Sequence, residues 1–202
     1  GHFDGRSIVP QVGRILSLAR RYECKTALDF GCGKAEYYDK ADKDGVTLAQ
    51  ALADTGIEEI TRYDPAVPRF AKAPEGIFDI VWCTDVLEHI PESDVAAVVD
   101  RLFALAGKVL LVSVSCSPAI KALPNGENAH VTLKTPEFWG EMFDAAAKRA
   151  ENRPYKLVCR ETDKPDTVLG TAHANIGPAS VRVKSKNCVP TAEIQANMRG
   201  TQ

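Results

Sequence analysis

The segment Leu28-Asp29-Phe30-Gly31-Cys32-Gly33-Lys34-Ala35 constrains this chain more than any other. Thr26 to Phe30 reads as a buried strand, and it runs into a Gly-x-Gly turn with a small residue two positions further on. Such a bend lets a ligand lie against backbone without meeting side chains. A second strand-like run, Ile60-Thr61-Arg62-Tyr63-Asp64, also ends in an acid. On neighbouring parallel strands, the carboxylates of Asp29 and Asp64 and the glycine bend share one crevice at the carboxyl edge of a doubly wound sheet. That trio suits a ligand with a cationic amino acid end and a ribose diol, and S-adenosylmethionine is such a ligand. A dinucleotide loop fits less well, because it needs Gly-x-Gly-x-x-Gly and an acid about 20 residues on. Here Glu36 takes the third glycine position, and Asp64 lies 33 residues after Gly31.

The chain has 202 residues, 45% hydrophobic and 26% charged, which suits one domain with a sizeable core. Within it we expect an N-terminal helical lid or flank over 1–24, a core over 25–186 and a tail over 187–202. A net charge of −2 offers no general attraction to nucleic acid or to anionic membranes. No run approaches the roughly 18 apolar residues of a membrane span, and no secretory leader is read in the chain. The six cysteines, at 24, 32, 83, 116, 159 and 188, include no Cys-x-x-Cys, and several sit in apolar runs. A reduced, cytoplasmic chain without zinc-finger-like sites is expected. Nothing in the pattern sets an oligomeric state.

Ile8, Val12, Ile15, Leu16, Ala19 and Tyr22 recur at helical spacing, with Ser7 as cap and Pro10 in the tolerant first turn. They predict one opening helix that packs on the sheet or lids the ligand site. Next come a helix over 47–55 stopped by Gly56, a strand over 58–64 and a central strand over 77–83. A helix from Val95 to Ala106 follows the Pro91-Glu92-Ser93-Asp94 start signal, then a strand over 108–115. Thr135-Pro136-Glu137 opens another helix: hydroxyl cap, proline at the first helical position, then an acid. Only 14 residues separate Asp64 from Asp79, and three of them are proline, so one crossover is shortened. Strands over 155–161 and 179–184 are predicted on either side of a polar surface loop, 163–178. The fold class is α/β: a doubly wound, mostly parallel sheet of the seven-stranded type, ending in an antiparallel strand pair, with helices on both faces.

At this point the chain resembles class I S-adenosylmethionine-dependent methyltransferases. Leu28-Asp29-Phe30-Gly31-Cys32-Gly33 is similar to that family's first motif, and Tyr63-Asp64-Pro65 to the acidic end of its second strand. Phe78-Asp79-Ile80-Val81-Trp82-Cys83-Thr84-Asp85-Val86-Leu87-Glu88-His89-Ile90 is similar to its fourth-strand segment and is the most specific of the three. The resemblance implies that Asp29 organises the methionine amino group, in part through water. It implies that the backbone at Gly31, Cys32 and Gly33 approaches the methionyl and ribose parts, and that Asp64, with Pro65 beside it, accepts from both ribose hydroxyls. Thr84 and Asp85 would line the cleft near the sulfonium. The chain departs from the family at Ala35, where a third glycine is common. It departs again in the compressed 65–78 segment, which removes the usual third strand and its adenine contacts.

Methyl transfer to a hydroxyl of a small molecule or sugar is the activity this reading favours, since two histidines are expected at the carboxyl edge. His89 follows the central strand, and His130 lies in the connection after the next one. Each has two readings, a catalytic role toward the acceptor or the bracing of its own loop. Tyr37 and Tyr38 either close the cofactor pocket or simply pack. Asp85, Glu88 and His89 sit at i, i+3 and i+4, so one helical turn would align them. With His130 they form an alternative, a metal-assisted 2′-O-methylation of RNA, similar to enzymes acting on the 3′-terminal ribose of small RNAs. With no basic stripe to hold RNA, and with ligand types alone insufficient to establish a site, no metal is assigned. A third possibility is a cofactor-binding module without turnover.

Overall fold

A computed structural model of the chain describes residues 4–42, 44–120, 122–123 and 125–172. Its strands are β1 (Thr26–Phe30), β2 (Glu59–Tyr63), β3 (Phe78–Thr84), β4 (Ala106–Ser115), β5 (Tyr155–Arg160) and β6 (Thr167–Leu169). Its helices are α1 (Val12–Arg21), α2 (Leu48–Ala53), α3 (Glu92–Leu105) and α4 (Pro136–Arg149). The strands form one sheet in the order β2-β1-β3-β4-β5-β6, parallel throughout except for the antiparallel β5–β6 pair.

Side chains alternate across a strand, so each inner strand supplies two layers at once. Ala27, Ile80, Trp82, Val109, Leu111 and Val158 pack in the layer that holds α1 and α2. Leu28, Val81, Cys83, Leu110, Val112 and Leu157 pack in the layer that holds α3 and α4. Both faces are covered, which explains the near-continuous apolar runs of β3 and β4. Each fully buried leucine or valine contributes about 1.5–3 kcal/mol, so this double layer holds the strand ends, and the loops on them, in place.

The β2-to-β3 connection holds only the short 3-10 turn Pro68–Phe70, and β3 then pairs directly with β1. The shortened crossover is thus accommodated by omitting a strand beyond β2. The chain leaves β1 toward β2 on one side and returns as β3 on the other. This reversal of strand order opens a crevice outside the carboxyl ends of β1 and β3.

Three local expectations change. The opening segment is a 3-10 turn, Arg6–Gln11, followed by α1; Pro10 has no N–H to donate, and the Ser7 hydroxyl bonds Thr84 instead of capping a helix. Helix α3 starts at Glu92 behind Pro91 with no side-chain cap. Residues 167–169, expected within a surface loop, form β6 against β5; a three-residue run is too short to show a period, and only the neighbouring strand makes it one. The strand expected over 179–184, His173, Cys188 and the tail from 187 lie outside the described residues. Among the described residues no helix is long and apolar enough to cross a membrane.

Candidate functional site

Two of the acids singled out in the sequence stand at the ends of neighbouring strands. Asp29 pairs in register with Arg62 across β1 and β2. Its side chain is buried, and Oδ2 accepts a hydrogen bond from the Tyr38 hydroxyl at 2.9 Å. Burial pushes this carboxyl up to about 6, against the pull of the Tyr38 hydrogen bond and the nearby Arg62 charge. The Arg62 guanidinium lies over the Tyr38 ring, 4.3 Å from its centroid, so charge, ring and carboxyl form one stacked unit.

Past β1 the backbone bends sharply. Gly31 and Cys32 both donate to the Tyr63 carbonyl, at 2.7 and 3.1 Å, and Gly31, Gly33 and Ala35 all have positive φ. The Cys32 side chain turns inward and is buried, so what this loop presents outward at that position is backbone. Asp64 fastens the loop: Oδ2 accepts from the Gly33 N–H and Oδ1 from the Ala66 N–H, both at 2.9 Å. Pro65 is exposed in the turn that follows. Each Asp64 oxygen keeps one further lone pair, so the carboxylate can still accept two hydroxyl donors.

The N-terminal segment closes over this loop. Glu36 N–H donates to the Asp4 carbonyl at 3.0 Å, Arg6 Nε to the Tyr37 hydroxyl at 3.2 Å, and the hydroxyls of Ser7 and Thr84 lie 2.9 Å apart. Gly5 has φ 86°, and a Cβ there would stand 2.7 Å from the Cys32 carbonyl oxygen. The close approach therefore requires glycine.

The third group lies beyond β3. Thr84 is the last residue of the strand, and Asp85 takes a left-handed backbone, φ 56°. The Asp85 carboxylate accepts from the Ser113 hydroxyl at 3.0 Å and is ion-paired with Arg160, which reaches it from β5. Burial raises this carboxyl, and the Arg160 charge opposes that rise. The expected alignment of Asp85 with Glu88 and His89 on one helical turn does not occur. Only Leu87–His89 coil, as a 3-10 turn, and Asp85 precedes it in a conformation that turns its carboxylate to Arg160 and Ser113.

Glu88, His89 and His130 do come together. Each offers a ligand-capable atom, and these atoms lie within 4.8 Å of one another. The imidazoles meet edge to face with centroids 4.8 Å apart. Glu88 is fully buried; Oε1 accepts from the Ser115 N–H at 2.8 Å, while Oε2 is buried without a partner. Burial, and then the Asp85 charge, push its carboxyl up to about 8. Partial burial lowers the His89 imidazole. Asn128 clamps the His130 loop through two bonds to Ala119 and one to the His130 N–H, all at 2.9 Å. Thr132 N–H donates to the Glu88 carbonyl at 3.0 Å. These contacts hold two loops, one after β3 and one after β4, side by side.

A family model described as a methyltransferase domain matches residues 10–154. The chain belongs to that family. No curated protein and no solved structure matches it. The matched span of this methyltransferase domain carries the glycine bend, both acids of the first group and the Glu88–His89–His130 cluster, and it ends just before β5. Arg160 lies outside it.

The structure adds partners that the sequence reading left out. Tyr38, read as a pocket wall or simple packing, is the donor to Asp29. Arg160, Ser113 and Asn128 carried no local signal, and Ser7 was read as a helix cap. Arg160 and Asp85 are 75 residues apart, and Ser7 and Thr84 are 77 apart, so only the sheet brings them together.

Proposed function

We propose that this methyltransferase domain binds S-adenosylmethionine in the crevice between β1 and β3 and transfers its methyl group to a hydroxyl of a small molecule or sugar. The observation that carries this reading is the Gly31–Gly33 bend, tied by its own backbone N–H to the Asp64 carboxylate, with the buried Asp29 one strand-end away. In this reading Asp64 uses its two remaining lone pairs on the ribose diol. Asp29 and Tyr38 act as a unit on the amino acid end, and Thr84, under the Ser7 hydroxyl, walls the space toward the sulfonium.

The cofactor supplies the reactive methyl, and the protein supplies alignment in a dry cleft, an effect that reaches about 7–11 kcal/mol of barrier in well-oriented systems. In the transfer an oxygen lone pair forms the new O–C bond as the S–C bond breaks, and the sulfonium becomes a neutral thioether. The hydroxyl proton leaves toward His130 or His89 on the same carboxyl edge. The net charge of −2 supports a small acceptor over a polyanion. The free thiols, four of the five described ones buried, support a reducing cytoplasmic setting.

Calorimetric titration with S-adenosylhomocysteine tests the first step, and methyl consumption with a panel of hydroxyl-bearing acceptors tests the second. Asp64→Ala removes the acceptor of both ribose hydroxyls, so binding should weaken by at least about 10- to 100-fold, the loss from one charged hydrogen bond of about 1.5–3 kcal/mol. Folded protein that takes up no cofactor refutes the reading.

A further inference from the structure

The Glu88–His89–His130 cluster has a polarity that its own residues leave unbalanced. His89 Nδ1 lies 2.8 Å from the Ala129 carbonyl oxygen, and His130 Nδ1 lies 2.6 Å from the Ser117 carbonyl oxygen. A carbonyl oxygen only accepts, so each Nδ1 carries a proton, and Nε2 is the ring nitrogen left with a lone pair to offer a metal ion. The third member, Glu88 Oε2, is buried with no partner. Once the Glu88 carboxyl is ionised, three acceptors converge within 4.8 Å and nothing among them donates. A buried acceptor left unsatisfied costs about 1–3 kcal/mol, more when charged.

We propose that Glu88, His89 and His130 bind one divalent first-row metal ion, such as Zn²⁺ or Co²⁺, through Glu88 Oε2 and the two Nε2 atoms. Two histidines and one carboxylate are a familiar donor set for such ions, leaving positions open for water or an oxygen ligand. The backbone carbonyls behind each Nδ1–H match the outer-shell arrangement that orients metal-bound imidazoles. Loop bracing accounts for the Nδ1 atom of each ring, bonded to the Ala129 and Ser117 carbonyls, and leaves the two Nε2 atoms to be accounted for. The burial is graded: Glu88 lies inside, His130 half-buried and His89 exposed, so an ion can enter from solvent. Asp85 is not a ligand, being held by Arg160 and Ser113.

The site deepens the proposed function and rests on it in one respect. If the acceptor hydroxyl sits at this edge, an open metal position would take its oxygen and lower its proton affinity; with both imidazoles serving as ligands, the proton would leave to solvent and not to His89 or His130.

Cobalt(II) titration of the purified full chain, followed by visible absorption and calorimetry, tests the site. One equivalent should bind with a d–d spectrum of nitrogen and oxygen ligation. Glu88→Gln and His89→Ala should each weaken it about tenfold or more, while Asp85→Asn leaves it within about threefold, ligand and non-ligand losses being of different order. His89 is exposed, so its variant keeps the test valid if Glu88→Gln misfolds. S-adenosylhomocysteine binding is measured on the same samples. A chain that binds the nucleoside but no cobalt overturns the metal site and leaves the methyltransferase reading standing. Cobalt binding that ignores both His89→Ala and Glu88→Gln overturns it as well. Cobalt binding without nucleoside binding upholds the site and refutes the cofactor assignment.

Discussion

Replacing Gly31 by alanine tests whether the bend after β1 is dictated by backbone geometry. Gly31 has φ 83°, and a Cβ built there would stand 2.3 Å from Val86 Cγ2. The left-handed backbone costs an L-residue about 1–2 kcal/mol. Pushing Val86 aside adds about 1–3 kcal/mol of overpacking, for a total of about 2–5 kcal/mol. Gly45→Ala supplies the control, since Gly45 has φ 80° and no heavy atom within 4 Å of its built Cβ. That variant carries only the backbone cost, about 1–2 kcal/mol, and the unfolded-state gain from removing a glycine is common to both. The difference between the two isolates the contact with Val86. Urea denaturation read at constant m-value measures each, and Gly31→Ala should lose more by about 1–3 kcal/mol. In a double-mutant cycle, Val86→Ala should return most of that excess to the Gly31→Ala chain. Equal losses at positions 31 and 45, together with zero coupling to Val86, would refute the reasoning.

Two further outcomes follow from the buried charges. The Asp29 carboxyl is raised on folding from 3.8 to about 6, so between those values the folded chain keeps a proton that the unfolded chain has lost. Its contribution to stability is therefore present at low pH and declines as pH rises from about 4 to about 6, by about 3 kcal/mol in all. Asp29→Asn should flatten that part of the stability profile in urea melts taken at several pH values, and an unchanged slope would contradict the assignment. Arg160→Met leaves the Asp85 carboxylate with the Ser113 hydroxyl as its remaining partner and should cost about 1–3 kcal/mol, scaled down for a partly exposed pair. Adding Asp85→Asn should restore most of the loss, and no recovery in the same melts would show that the pair is not the cause.

Much of the scaffold was legible because its signals are local. The apolar run of β3, the amphipathic spacing of α3 and the Thr135-Pro136-Glu137 start of α4 each reside in one element, and the structure places β3 and the start of α4 within a residue and α3 three residues earlier at its start. The short link between Asp64 and Asp79 was readable from length alone. What stayed hidden depended on a neighbour. The Ser7 hydroxyl meets Thr84 instead of capping a helix, and β6 exists because β5 offers it an edge. Asp85 left the expected alignment because Arg160, far along the chain, claims its carboxylate.

By itself, then, the sequence determined the alternation of strands and helices, the glycine bend and the acids at two strand ends. Spacing and side-chain type are properties of a single stretch of chain, so these could be read before any contact was known. Only the tertiary structure decided which groups meet: Tyr38 on Asp29, Asp64 on the Gly33 backbone, and Glu88 with two histidines whose Nδ1 atoms are already engaged. Partner choice is a matter of strand register and loop closure across the sheet, and no local pattern carries that information.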